Sequence, residues 1–209
     1  MPSSYPQLAR LAGVMHTLRA RCPWDAEQTH LTLVNYLVEE TCEAVDAIES
    51  GDDAAMLEEL GDVLLQVFFH AEIASETGRF DINDVAKRIA DKLIARHPWV
   101  FEHEAPPDDL ISAWEVQKAK EKARTSVTDG IPSQLSALSR AAKVLGRAES
   151  LGQPTDIVPA DVPPGRIGAE LLRLVAAAQA AGLDPEQEAR TALRAVEERL
   201  AGGKTRRAR

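Results

Sequence analysis

Aromatic residues make up only 4% of this chain of 209 residues, and alanine, leucine and glutamate fill much of the remainder, which favours helices over a sheet. Cysteine is nearly absent. Cys22 and Cys42 stand apart with no CxxC or zinc-ligand spacing, so no disulfide framework is expected and a reducing compartment is the simplest setting. Basic charge is also in short supply: 24 Lys and Arg face 33 Asp and Glu, for a net charge of -9. That balance argues against a nucleic-acid scaffold, which draws on excess Lys and Arg, but leaves room for a small anion held through a metal. Long apolar runs are missing too. The longest, Leu60 to Ile73, is interrupted by Gly61, Asp62, Gln66 and His70, and no basic segment followed by an apolar run opens the chain. A soluble, cytoplasmic protein with no membrane partner is expected, long enough for one domain or for a domain with a smaller companion.

What the chain does contain is helical periodicity. Leu8, Leu11, Val14, Met15 and Leu18 form one stripe and predict a helix from Tyr5 to Arg21, stopped by Cys22-Pro23-Trp24-Asp25. Trp24 and His30 are expected in the following loop, the Trp as a plug over a core edge rather than a stacking platform. A second helix is predicted from Thr32, as a cap, to Ser50. Gly51-Asp52-Asp53 turns the chain into a third, from Ala54 to Thr77.

These two helices carry the chemistry. On a wheel centred on Leu37, Ile48, Leu33 and Val34, Glu40 falls on the shoulder of the apolar face and Glu43 beside it, while Glu39 and Asp46 lie towards solvent. Glu40 and Glu43 can therefore look inward, and Glu39 is better placed as a water partner; a solvated acidic face is the competing reading. The third helix is more telling. Glu59 and Asp62 share one face and are surrounded by Met56, Leu57, Leu60, Val63, Leu64 and Leu65, a pattern that predicts burial. A buried carboxylate must stay protonated, meet a cationic side chain or bind a metal, and no Lys or Arg lies on this helix. Gly61, between the two acids, suggests close approach of another helix or a ligand.

Asp81 or Asn83 caps a fourth predicted helix, ending at His97-Pro98, on which Arg88, Lys92 and Arg96 recur at four-residue spacing. Such a stripe is usually a solvated face; next to a phosphate site it can hold the phosphates. A fifth helix from 108 to 124 places Trp114 and Lys118 on one side, a pair able to grip a base and a phosphate, or equally a packed ring beside an exposed ammonium. Residues 125–132 read as a linker between a first domain, 1–124, and a second, 125–209. The second holds helices at 133–150, 167–181 and 185–200, a Pro/Gly-rich run at 152–165, and a basic tail expected to be disordered. Glu59-Leu60-Gly61-Asp62-Val63-Leu64-Leu65 has an echo in Arg166-Ile167-Gly168-Ala169-Glu170-Leu171-Leu172, where both acid positions hold other residues.

The pattern EExxE followed by ExxD, as Glu39-Glu40-Thr41-Cys42-Glu43 and Glu59-Leu60-Gly61-Asp62, resembles the MazG family of nucleoside triphosphate pyrophosphohydrolases. Its flanks do too: Cys22-Pro23-Trp24-Asp25, Gln28-Thr29-His30, Gly61 to Ala71, and Arg96-His97-Pro98-Trp99-Val100-Phe101. The resemblance is dense from about residue 8 to 122. It implies an all-α, MazG-like helical bundle completed by homodimerisation, and hydrolysis of nucleoside triphosphates to monophosphate and pyrophosphate. It further implies Mg2+, with Mn2+ as substitute, held by Glu40, Glu43, Glu59 and Asp62, and substrate contacts from Lys92, Arg96, Trp114 and Lys118. Glu39 is the candidate for orienting the attacking water. The second half resembles a shortened, degenerate MazG-like domain. A non-catalytic nucleotide sensor on the same fold is the rival reading. A di-iron carboxylate bundle would need two ExxH pairs, and only Glu27-x-x-His30 has that spacing.

Overall fold

In the computed structural model the described residues are 5–102, 105–107, 109–110, 126–150 and 167–206, and the regular structure among them is entirely α-helical. The chain divides into two compact units, Met1–His103 and Glu104–Arg209. The helix expected at 108–124, with Trp114 and Lys118, lies almost wholly outside the described residues, as does the run at 152–165.

The first unit is built on six helices: α1 (Pro6–Arg21), α2 (Pro23–Glu27), α3 (Val34–Ser50), α4 (Asp53–Ser75), α5 (Ile82–Arg96) and α6 (Pro98–Phe101). Trp24, expected in a loop, instead sits in the short α2, because Pro23 opens a new turn as readily as it ends the previous helix. Its ring meets Tyr36 and Phe69 edge-on, at 5.9 and 6.4 Å between centroids, while remaining half exposed. Thr32 does not cap α3. Its hydroxyl accepts from the Thr29 amide at 2.9 Å and closes the turn before the helix, which starts at Val34.

The α3–α4 hairpin is the centre of this unit. Gly51 takes a left-handed backbone (φ 73°) that a side chain would strain, and Asp52 caps α4 by accepting from the amides of Ala54 and Ala55. The buried stripe of α3 is Leu33, Ala44 and Ala47, with Val34 and Ile48 outside it at 47% and 53% exposure. The small Ala side chains let α4 come close, and the sequence wheel, which ranked residues by size and apolarity, was therefore turned away from the true contact face. Met15, Leu33, Phe68, Phe69 and Ile73 form the core, joined at its edge by Leu11, Leu64, Leu65 and Ile82.

Polar contacts fix the loop that feeds α3. Arg19 pairs with both carboxylate oxygens of Glu76 at 2.7 Å and donates to the backbone carbonyls of Asp25 and Gln28, tying α1, the α2 region and the end of α4 together. His30 and His70 stack in parallel, with Nδ1 atoms 2.8 Å apart, and Arg79 donates to His30 Nε2 at 2.7 Å. A guanidinium only donates, so His30 Nε2 accepts, His30 Nδ1–H donates to His70 Nδ1, and His70 keeps its proton on Nε2. The chain of bonds holds only with both rings neutral. Asp81 caps α5 through a reciprocal capping box with Asp84.

The second unit contains α7 (Ala137–Ser150), α8 (Ile167–Ala180) and α9 (Pro185–Arg206). Ile131, Leu145, Ala148, Ala169 and Val175 are buried. Gln179 Nε2 donates to the Ala142 carbonyl at 2.7 Å, and it stands 3.1 Å from where a Cβ on Gly146 would be, so the glycine gives that side chain its place. The last helix runs to Arg206, past the expected end near Leu200, so part of the basic tail continues it.

Burial, and secondarily the neighbouring His30, lowers the His70 pKa. The unfolded chain therefore binds a proton first as pH falls. Stability that is complete above the unfolded value of about 6.5 should decline as pH drops below it. The carboxylates held low, Glu76 by the Arg19 hydrogen bond and Asp81 by backbone hydrogen bonds, lose their contributions only further down, below 4.5 and 3.8. Urea unfolding across pH should show the upper limb, and His70→Phe should flatten it; an unchanged limb in that variant would assign it to other groups.

Candidate metal centre

Helix periodicity brings the acids of α3 to those of α4. In an antiparallel hairpin, residues equally far from the turn stand at one level. Glu43 and Glu59 are each eight residues from Gly51, and Glu40 and Asp62 are each eleven. Carboxylate oxygens of Glu40, Glu43 and Glu59 lie within 4.8 Å of one another. Asp62 lies outside that tight trio but acts on it, exerting the largest charge effect on Glu40 after burial and a further one on Glu59.

The burial argument made from sequence is only half met within one chain. Glu40, Glu59 and Asp62 are partly buried and Glu43 is exposed, while Leu57 and Leu60 on α4 are 77% and 49% exposed. α4 is apolar all round, yet part of its surface has no cover from the described residues of its own unit. Glu40, expected on a shoulder, lies at the middle of the buried α3 stripe, in line with Leu33, Ala44 and Ala47. Gly61 has nothing within 4 Å of a Cβ built on it, so packing within this chain does not account for it.

The electrostatics are those of a site lacking counter-charge. Glu40 is pushed above the ordinary carboxylate range, first by burial and then by the charges of Asp62, Glu43, Glu39 and Glu59. Glu59 is raised by burial and then by Glu43, Asp62 and Glu58. Oxygen-only donors converging from two helices suit a hard divalent cation, although oxygens bound to one ion at about 2.0–2.1 Å span at most about 4.2 Å, inside the 4.8 Å within which the trio lies. Among the described residues no other group of three His, Cys, Asp or Glu side chains converges in this way.

The other residues singled out from the sequence are distributed differently. Glu39 is exposed on α3 and Lys92 exposed on α5, but Arg96, at the end of the same basic stripe, is 4% exposed. One member of the stripe is thus a buried cation rather than part of a solvated face. Trp114 and Lys118 lie outside the described residues. The sequence marks Gln66 as a break in an apolar run and as part of the family-like flank Gly61 to Ala71, with no role of its own. It is 4% exposed, its Oε1 lacks a hydrogen-bond partner, and it lies one turn beyond Asp62 on the same face of α4. A polar residue four positions after an acid, inside an otherwise apolar helix, was the available signal.

Comparison with known proteins fits this geometry. Residues 28–101 match the MazG nucleotide pyrophosphohydrolase domain, a span that takes in the whole α3–α4 hairpin. The chain belongs to the MazG family. It is 44% identical over 201 residues to an uncharacterised 26.1 kDa protein from the blaB 3' region of Streptomyces cacaoi, covering 92% of this chain and 82% of that one. It is 41% identical over 168 residues to the nucleoside triphosphate pyrophosphohydrolase of Mycobacterium tuberculosis, covering 79% of this chain and 52% of that protein. The Escherichia coli K12 protein of the same name is 44% identical over 154 residues, with 70% and 59% covered. This MazG chain therefore spans between half and two thirds of the length of those two named pyrophosphohydrolases.

A divalent cation should raise the thermal midpoint, on the order of 5 °C at a concentration a hundred times its Kd. Glu59→Gln should raise the midpoint in the absence of metal, by relieving like-charge repulsion, and remove most of the metal-dependent rise. Calorimetric melts with and without Mg2+ test this; an equal metal response in the variant would take Glu59 out of the centre.

Proposed function

We propose that residues 1–124 hydrolyse nucleoside triphosphates to monophosphate and pyrophosphate, with Mg2+ held by Glu40, Glu43, Glu59 and Asp62. The observation that carries this is the convergence of carboxylate oxygens from two helices, in a chain whose relatives are named for that activity. Mg2+ supplies neutralisation of the polyphosphate and acidification of a water. Mn2+, with similar preference for oxygen donors, is the expected substitute.

The chain's own residues do the rest. To Glu39, exposed and next to Glu40, we assign the role of accepting a hydrogen bond from the attacking water and taking its proton. Lys92 and Arg96 stabilise charge gathering on phosphoryl oxygens. Trp114 and Lys118 take the substrate roles that the family resemblance gives them. The attacking water forms a P–O bond to the phosphorus on one side of the α–β bridge as that phosphorus loses its bond to the bridging oxygen, which leaves with the other phosphorus; monophosphate and pyrophosphate result, and the water's proton passes to Glu39. Removal of damaged or non-standard nucleotides is the service we assign to this activity, in the cytoplasm. That setting accords with the free Cys22 and Cys42 and with the lack, among described residues, of a helix long and apolar enough to cross a membrane. The net charge of -9 supports a nucleotide rather than a nucleic-acid polymer as partner.

We assign residues 1–124 to the catalytic domain and 125–209 to a shortened, degenerate relative of it. Within the second unit's described residues no acid cluster is found, and Gly168 and Ala169, the counterparts of Gly61 and Asp62, occupy the first turn of α8, whereas Gly61 and Asp62 lie well inside α4.

The assembly we propose is a homodimer. It is supported by the exposure of large apolar side chains on both helices of the acid hairpin, Leu57, Leu60 and Val67 on α4 and Val34, Val38 and Ile48 on α3. Gly61 on the exposed side of α4 offers room for a second helix backbone.

Incubation with (d)NTPs and Mg2+ should release pyrophosphate rather than orthophosphate, and Glu59→Gln should lower kcat at least a hundredfold, on the order of one lost transition-state contact. Nucleotide binding without any turnover would favour a sensor instead. Light scattering should give twice the chain mass of 22.7 kDa, and Leu60→Glu should shift it towards the monomer; a wild-type monomer at micromolar concentration would sink the dimer.

A further inference from the structure

We propose that Gln66 reads the nucleoside end of the substrate, its side-chain oxygen accepting a hydrogen bond from an N–H or O–H donor on the base or sugar. The inference rests on the nucleotide reading above and adds to it a direction for the substrate along the hairpin.

The starting point is an unpartnered acceptor. Gln66 is 4% exposed and Oε1 has no hydrogen-bond partner. Buried polar groups are nearly always paired, and an unpaired one stands out where a ligand completes it. Its position says what ligand. Glu59, Asp62 and Gln66 fall on one line along α4, with Gln66 about 6 Å beyond Asp62 along the axis, at four residues of about 1.5 Å each. Past it the same line reaches Phe69 and Ile73, which are buried in the core.

Across the hairpin, Tyr36 stands fifteen residues before Gly51 and Gln66 fifteen after, so the two share a level. Tyr36 is 39% and Trp24 48% exposed, and the two rings are in edge contact. Along the hairpin the residues therefore grade from carboxylates, through one amide, to half-exposed aromatic rings. A nucleoside triphosphate grades the same way. Its ionised phosphates carry only acceptors and cannot satisfy a carboxamide oxygen; they belong at the cation. Donors occur at the other end, on sugar hydroxyls and on base amino or imino groups, next to a ring that stacks on aromatic side chains.

The test is binding of non-hydrolysable α,β-methylene nucleotides with Mg2+, measured by calorimetry on the full chain. The set comprises dCTP, its dideoxy form lacking the 3'-hydroxyl, and the pyrimidin-2-one form lacking any base donor. Gln66→Met, near in volume, should keep the fold and the Mg2+-dependent rise in thermal midpoint while binding the dCTP analogue about tenfold more weakly, as one lost hydrogen bond of the upper ordinary size allows. One of the two deletion analogues should then bind wild type and variant alike, and that analogue names the donor: sugar if the dideoxy form, base if the pyrimidin-2-one form. Equal binding of dCTP by both proteins would overturn the proposal. So would an equal loss for all three analogues, which would move Gln66 to the water or the metal. Hydrolysis of natural dCTP by the wild type is measured alongside. Binding without pyrophosphate release would refute the hydrolase reading and leave the Gln66 result standing, whereas no binding at all would refute both.

Discussion

The register of one helical hairpin sets almost everything else in the first unit. Gly51 and Asp52 fix where α3 ends and α4 begins, and from that turn Glu43 meets Glu59 and Glu40 meets Asp62 at matched heights. Burying these carboxylates in part and, after that, setting like charges close together is unfavourable, and both raise the pKa of Glu40 and Glu59. The fold tolerates the repulsion because the hairpin is held by contacts that do not involve the acids: Ala44 and Ala47 admit α4, and Leu33 locks into Met15, Phe68 and Phe69. A cation turns the same arrangement from a cost into an attraction.

The approach to α3 is held by polar rather than apolar means. Arg19 spends its donors on Glu76 and on two loop carbonyls, and the His30–His70–Arg79 chain pins the loop to α4. These bonds are directional, so they fix the loop's position more sharply than apolar contact alone would, and a site built from side chains on two helices needs that control. The histidine pair adds a condition, since its bonding pattern requires both rings to be neutral.

Much of this was legible in the sequence, for identifiable reasons. Helices with strong periodicity and clear stops were placed to within a few residues, α4 at Asp53–Ser75 against an expected 54–77 and α5 with its Asp81 cap. The pairing of the acid motifs was legible because spacing from a turn is a property of sequence alone. The family followed from the motif with its flanks. What escaped depended on tertiary neighbours: Ala44 and Ala47 mark the contact face of α3 by being small, which an apolarity wheel undervalues. Arg96 is buried within a stripe that reads as solvated, and Gln66 matters only through what it fails to bond. The burial of Glu59 and Asp62 was overestimated, because an all-apolar helix announces that it will be covered without saying which molecule covers it.

That last point connects association to chemistry. In one chain the acids are only partly shielded, and the apolar residues next to them, Leu57 and Leu60, face outward. A second copy seated there would remove water from the neighbourhood of the carboxylates, lowering the local dielectric and strengthening every charge interaction, repulsive or attractive. Without a cation, association would then raise the cost of ionising the cluster; with one, it would tighten the cation's hold. Linkage makes the effect reciprocal: a cation that binds more tightly in the covered state must favour that state by the same factor. On the proposed dimer, the apolar surface and the acid cluster would be two parts of one device, and the burial that the sequence of α4 calls for would be reached once both are satisfied.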